Sequence, residues 1–215
     1  DDKFLKHYYL HGDNSLSNSL NLLGFSEDDI TDVFLTHLHF DHCGGSVKWN
    51  KDRTRFEMAF KNAKYWSNND HWSHALNSNY REKASFLKDN IIPIQQSGQL
   101  NFIERDSKFF DFFNVLFVDG HTESQMIPHI KYKNQTIVFA ADLLPSSGHI
   151  PLAYVMGYDT QPLKTLIEKK QFLLDAAEKQ YVIFMQHDNY NECCTVKLSE
   201  KGVVLDKTFK LSDIL

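Results

Sequence analysis

Val33-Phe-Leu-Thr-His37-Leu-His39-Phe-Asp41-His42-Cys43-Gly44-Gly45 sets three imidazoles and a carboxylate within six residues, after an apolar run and ahead of two glycines. Val33, Phe34 and Leu35 read as a buried strand ending at Thr36. His37 and His39, two apart, point the same way if the chain stays extended. Asp41 and His42 follow a turn, so they can face the same spot from the other side. Gly44 and Gly45 let the backbone turn tightly and pass close to whatever the side chains hold. Neutral imidazole and carboxylate suit zinc and several other first-row divalent metals. The competing explanation is an accidental histidine-rich surface turn. Four metal-type side chains locked between a strand and a glycine pair argue against it.

Outward from that stretch the same event recurs. Phe112–Val118 reads as a strand that ends in the turn Asp119-Gly120-His121-Thr122. Met126–Tyr132 and Gln135–Ala141 read as two more, joined at Lys133-Asn134, and the second runs into Asp142. Tyr181-Val-Ile-Phe-Met reads as a buried strand that stops at His187-Asp188. Four times an apolar strand ends and a metal-type residue follows, at His37, His121, Asp142 and His187. A sheet brings several strand ends to one rigid edge, so these residues are candidates for one shared site.

The remaining elements are plainer. Asn18–Leu23 suggests a short helix stopped by Gly24, and Ser26-Glu-Asp-Asp-Ile a capped turn leading into the first strand. Residues 46–100 hold all three tryptophans and read as an aromatic-rich insertion. It carries a short strand at Ala63–Trp66, helices at Asp70–Leu76 and Arg81–Lys88, and a strand at Gln99–Ile103. His71 and His74 lack an obvious carboxylate partner and read as ordinary polar positions. Leu163–Glu178 is the clearest amphipathic helix, with Leu163, Leu166, Ile167, Leu173, Leu174 and Ala177 on one stripe and Pro162 at its first turn. Val203–Leu211 suggests an edge strand.

At 215 residues, with 42% hydrophobic and 13% aromatic residues, the chain suits a single domain with a layered core. No run is long enough to cross a bilayer. The net charge of −5 with no basic block argues against nucleic acid as a partner. Cys43, Cys193 and Cys194 suggest no disulfide framework, so a reducing, cytoplasmic setting is the simplest fit. A cleaved signal would leave no trace, which keeps a secreted or periplasmic setting open. Asp1-Asp-Lys-Phe-Leu-Lys is already polar and helix-like, which suggests processing or a missing leading segment. A small-molecule substrate and pairing into a homodimer through the aromatic segment are the expected partnerships.

Thr36-His37-Leu-His39-Phe-Asp41-His42, the Gly120-His121-Thr122 turn, Asp142 and His187 match, in order, the metallo-β-lactamase-fold hydrolases, which this chain resembles over residues 33 to 188. The resemblance implies an α/β fold: a four-layer αββα sandwich of two mixed sheets, with a two-metal site along one edge. It implies that His37, His39 and His121 hold one metal, that Asp41, His42 and His187 hold the other, and that Asp142 bridges them. Family members usually open with strands and an aspartate-containing turn, which this chain lacks, so its first sheet is expected to be short of its leading strands. The true β-lactamases lack a bridging aspartate at the position of Asp142. Its presence here resembles the branch of glyoxalase II, acyl-homoserine lactonases, parathion hydrolases and transfer-RNA processing nucleases. The segment from Asp142 through Tyr158 is most similar to the lactonases and parathion hydrolases.

That resemblance implies two divalent cations about 3.5–4 Å apart sharing Asp142 and a hydroxide, with Asp41 as both ligand and catalytic group. Zinc is the default, and iron, manganese or cobalt also suit the donors. Two dications, two carboxylates and a hydroxide sum to about +1, which favours the developing charge of ester, lactone, thioester or phosphoester hydrolysis. His149, Tyr154 and Tyr158 are candidates for contacting substrate, with Tyr190 a further phenol near His187. Asp119 and Asp188 are candidates to orient ligating histidines. Cys43 reads as packing. The alternatives are an iron-dependent oxidoreductase of the same fold, whose flavin-partnered members replace a motif histidine with glutamate, and a nuclease, whose members carry a basic gripping arm.

Overall fold

Asp32–Phe34 (β1), the short strand that leads to the first histidines, lies beside Lys64–Ser67 (β4), which in turn lies beside Leu100–Phe102 (β5). Both pairings are parallel, with Val33 opposite Tyr65 and Trp66 opposite Asn101. The computed structural model describes residues 6–9, 12–105 and 109–215 of the chain, so the polar start at residues 1–5 lies outside the described residues. Val47–Trp49 (β2) and Phe56–Met58 (β3) form a separate two-stranded hairpin. The larger sheet is built from Phe113–Val118 (β6), Gln125–Tyr132 (β7), Gln135–Phe139 (β8), Val182–Phe184 (β9), Cys193–Ser199 (β10) and Gly202–Phe209 (β11). Its order is β11-β10-β9-β8-β7-β6. The β8–β9 pair is parallel and the others antiparallel, so this sheet is mixed.

The helices are Leu16–Leu22 (α1), Phe40–Cys43 (α2), Asn69–Leu76 (α3), Lys88–Gln96 (α4) and Pro162–Lys179 (α5). Two apolar cores result. One gathers Leu35, Leu38, Tyr65, Trp72, Ile91 and Ile94 around the small sheet with α3 and α4. The other gathers Val118, Ile127, Val138, Ile183, Phe172 and Leu173 between the large sheet and α5. Together they make the α/β, sandwich-type architecture. The two halves meet where Phe34 of β1 packs on Phe113 of β6, ring centroids 5.0 Å apart, and where the Met126 N–H donates to the Thr36 carbonyl at 2.8 Å. Among the described residues no helix is long and apolar enough to cross a membrane.

Several elements differ from the reading of the sequence. Residues 46–100 do not stand outside the small sheet as an insertion, because they supply its central strand, β4. Arg81–Leu87 is a run of turns rather than a helix, and the helix comes later, at α4, where Pro93 sits inside it. The Asn79 side chain takes the Arg81 and Glu82 N–H groups, which competes with a helical path; the Glu82 side chain turns inward while Arg81 stays exposed. In α5 the buried face is Thr165, Lys169, Phe172, Leu173 and Ala176, whereas Leu163 and Ile167 are 76% and 71% exposed. The apolar stripe is therefore split between two faces. Gly44 sits at an ordinary helical φ of −59°, so the turn does not need a glycine there. What a side chain would meet is Asn90 Nδ2, at 3.2 Å.

Candidate metal centre

Each strand-end residue reaches the site through a different local device. After Phe34 the chain bends at Thr36 and is extended again at His39, whose carbonyl accepts the His42 and Cys43 N–H groups and starts α2. The start of α2 turns Asp41 and His42 back toward His37. His121 lies in the turn after β6, and that turn is held from several sides. Glu168 of α5 accepts the Asp119 and Gly120 N–H groups, both at 2.9 Å, and the Gly120 carbonyl accepts the Gln161 N–H at 2.9 Å. Asp142 follows Ala141, which adopts a left-handed φ of +42°, a strained conformation for alanine that re-aims the next side chain. His187 is fixed by its N–H donating to the Pro145 carbonyl at 3.0 Å.

These devices converge. His37, His39, His121 and Asp142 form one buried group of metal-type atoms, and Asp41, His42 and His187 form a second, more open one. Asp142 lies between them. Its Oδ2 is 3.1 Å from His121 Nε2, 3.3 Å from His42 Nε2 and 3.7 Å from His37 Nε2, while its Oδ1 is 3.3 Å from His187 Nε2. Asp41 Oδ2 lies 3.5 Å from His42 Nε2 and 3.7 Å from His187 Nε2. Facing ring nitrogens approach to 3.2 Å in two places, His121 Nε2 with His39 Nδ1 and His187 Nε2 with His42 Nε2.

The electrostatics follow from this crowding. Burial alone would push the Asp142 carboxyl up, but hydrogen bonds from His121, His187 and His42 outweigh it and hold it well below the usual carboxylate range. Burial also opposes charge on His121, yet Asp142 and Asp159 raise its pKa to about 9. His37 goes the other way: burial first, then the neighbouring His42 and His39, push it well below an ordinary imidazole. His37 Nε2 is buried without a hydrogen-bond partner among the described residues, which is costly unless something else binds it. A set of imidazoles around a buried carboxylate, with an orphaned ring nitrogen turned inward, fits a divalent cation, since a metal ion competes for the atoms a proton would otherwise take.

Two carboxylates hold the ligand rings from behind, and neither is among the sequence candidates. Asp159 Oδ1 accepts from His121 Nδ1 at 2.9 Å. Glu82, 3% exposed, faces His39 Nε2 at 3.6 Å and His74 Nε2 at 2.6 Å. Burial works against its charge, but His39, His74 and Thr122 keep its pKa far below the usual value. Its neighbour Arg81 donates to the carbonyls of Gly157 at 2.7 Å and Asp159 at 3.0 Å, so one dipeptide secures the backing of both histidines. Asp119 and Asp188 do not take this role. Asp119 accepts the Ser124 N–H and pairs with Arg105 and Lys164, and Asp188 accepts from Ser147, Tyr190 and Asn191. Both are consumed in closing their own turns. Glu82→Gln is expected to weaken metal affinity roughly 10–100-fold, the usual effect of removing a ligand's orienting partner. Competition with a chromogenic chelator would measure it.

His71 and His74 are not ordinary polar positions. His74 has a carboxylate partner in Glu82, which raises its pKa. His71 is completely buried, accepts the Leu38 N–H on Nε2 at 2.8 Å and donates from Nδ1 to the Glu123 carbonyl at 2.6 Å. It ties the first histidine loop to the turn after His121. Burial lowers its pKa from 6.5 to about 3. Between those values the unfolded chain binds more protons, so this contribution to stability is complete above pH 6.5 and is lost as pH falls toward 3. In metal-free protein, His71→Gln is expected to flatten the stability–pH slope in that window by up to about one proton. Urea unfolding at a series of pH values would show it.

The remaining candidates sit at the periphery. Cys43 is buried, donates to the Leu38 carbonyl at 3.3 Å and has its thiol pushed up to about 12 by burial, which fits packing. The His149 ring is held by Ser146 Oγ at 2.8 Å from Nδ1. Tyr154, Tyr158 and Tyr190 are 61%, 77% and 91% exposed. The buried Lys169 secures this loop by donating to the carbonyls of His149 at 2.9 Å, Pro151 at 3.3 Å and Tyr154.

A family model described as the metallo-beta-lactamase superfamily matches residues 4–187. A solved structure of a probable metal-dependent hydrolase from Staphylococcus aureus is 21% identical, with 98% of this chain and 74% of that one aligned at a TM-score of 0.83. AidC, described as a dizinc quorum-quenching lactonase, is 25% identical over 91% of this chain and 70% of its own, with a TM-score of 0.73. The hydrolase AbOPH is 21% identical over 94% and 72%, with a TM-score of 0.76. No curated protein matches the sequence.

Proposed function

The chain belongs to the metallo-beta-lactamase superfamily, and on that premise we propose that it is a dinuclear metal-dependent hydrolase acting on an ester, lactone or phosphoester bond of a small molecule. The observation that carries this reading is the place of Asp142, whose two oxygens lie within 3.1–3.7 Å of imidazoles from both ligand groups. In this reading His37, His39 and His121 would hold one cation and Asp41, His42 and His187 the other, with Asp142 available to either. Zinc is the default metal, supported by the dizinc description of AidC. When bound, such a pair supplies Lewis acidity and a water acidified toward neutral pH.

The protein's own groups divide the remaining work. Glu82 and Asp159 fix the His39 and His121 rings so that their other nitrogens stay turned toward the centre. His37, His39 and His121 close one side to water, whereas Asp41 and His187 have 41% and 36% of their side chains exposed. Substrate approaches from that open side. Asp41 would take a proton from the attacking water and return it to the leaving oxygen, in addition to its ligand role. His149, Tyr154 and Tyr158 lie on the loop between Asp142 and Asp159, and are assigned to substrate contact on that placement. N-acyl homoserine lactones and aryl phosphotriesters are the first substrates to try.

Elemental analysis of the purified protein, with hydrolysis assayed before and after chelation, tests the reading. Two metals per chain and turnover that disappears with chelator and returns with zinc are expected. Fewer than one metal per chain, or turnover untouched by chelation, would overturn it.

A further inference from the structure

The outer face of α5 and the β10–β11 hairpin enclose a cleft of about 480 Å³ that the metal centre does not use. Ile150 and Leu152 line it from the loop after Asp142, Leu173 and Leu174 from α5, and Val203 and Leu205 from β11. Leu152, Leu174 and Leu205 are about 40% exposed, at 40%, 38% and 41%, so the wall is apolar and open to solvent. Along α5 the exposed Leu163 and Ile167 continue the strip at helical spacing to Lys170 and Leu174.

Two cations stand in this apolar wall, Lys170 and Lys201. Lys48, Lys61, Lys164, Lys179 and Lys197 each pair with a carboxylate, but among the described residues neither Lys170 nor Lys201 has an acidic partner. An apolar trough with two unpaired ammonium groups selects for a molecule with one anionic end and an aliphatic body. We propose that this cleft binds a medium-chain aliphatic carboxylate, its tail along Leu173, Leu174 and Leu205 and its carboxylate between Lys170 and Lys201. The site is separate from the metal centre and does not depend on the hydrolase reading.

Calorimetric titration of the whole protein with decanoate, decanol and decyltrimethylammonium, each below its aggregation limit, tests this. One decanoate is expected to bind at least tenfold tighter than the alcohol or the cation, and affinity should rise from octanoate to decanoate by up to roughly fourfold per methylene. A carboxylate could instead land on bound metal, so the titration is repeated after chelation, where the cleft's affinity persists. The double variant Lys170→Glu/Lys201→Glu changes only exposed side chains. It should lose at least tenfold for decanoate, with decanol binding and metal content unchanged. Equal affinity for the three probes, binding that vanishes on chelation, or no effect of the double variant would overturn the proposal. So would a dimer in sedimentation velocity that Leu205→Glu dissociates, because the face would then belong to a second copy of the chain.

Discussion

Asp142→Asn is expected to abolish two-metal loading and to lower kcat/KM by at least about a thousandfold, on the order of 4 kcal/mol of transition-state stabilisation. Asparagine has the same size, so the chain should still fold. It removes the negative charge that faces His37, His42, His121 and His187 within 3.7 Å. It also replaces one accepting oxygen with an amide N–H₂, so part of the set of hydrogen bonds from His121, His187 and His42 is lost. The Asp142 charge contributes to holding the His121 pKa at about 9, so that value should fall in the metal-free variant. Metal content by mass spectrometry and a steady-state assay are the measurements. A variant with two metals and the parent rate would remove the central role given to this residue.

Gly120→Ala should be the most damaging small substitution in the protein. A Cβ at position 120 would lie 2.4 Å from Thr165 N, 2.4 Å from Thr165 Oγ1 and 2.6 Å from Thr165 Cα. The turn cannot simply back away, because the Glu168 carboxylate and the Gln161 N–H hold its backbone to α5 through bonds at 2.9 Å. Relieving the overlap means pulling His121 out of place or prising α5 from the sheet. Overpacking of this kind costs about 3 kcal/mol, which corresponds to roughly 6–12 °C in Tm for a protein of this size. Thermal unfolding and metal affinity should fall together. Thr165→Ala should not rescue either, since two of the three clashing atoms are backbone.

The ligand-bearing strand ends are legible in the sequence because each announces itself twice, by an apolar run and by the abrupt metal-type residue that stops it. Asp142 and His187 gain weight only through that recurrence. The supports are illegible for a physical reason: Glu82 and Asp159 act on rings that are 43 and 38 residues away, and no local pattern encodes a contact of that range. Arg81-Glu82 even reads as part of a helix, because its charges fit an exposed helical face. Only the fold shows Glu82 buried and Arg81 spent on backbone carbonyls. Asp119 and Asp188 look like natural partners because they lie within two residues of His121 and His187 in sequence, yet backbone N–H groups of the same turn and more distant side chains claim them. Strand β10 escapes because Cys193-Cys-Thr-Val-Lys-Leu-Ser combines a short apolar run with polar residues and no flanking glycine or proline on its leading side.

The two ligand groups draw on both cores: His37, His39, Asp41 and His42 belong to the half built on β1 and β4, and His121, Asp142 and His187 to the half built on the six-stranded sheet. Bound cations would therefore rivet one half to the other. Any event that lets the halves breathe apart, such as a nick between β5 and β6, would release metal while each sheet kept its strands paired. Loss of cation would then be an early reporter of partial opening, ahead of any change in secondary structure.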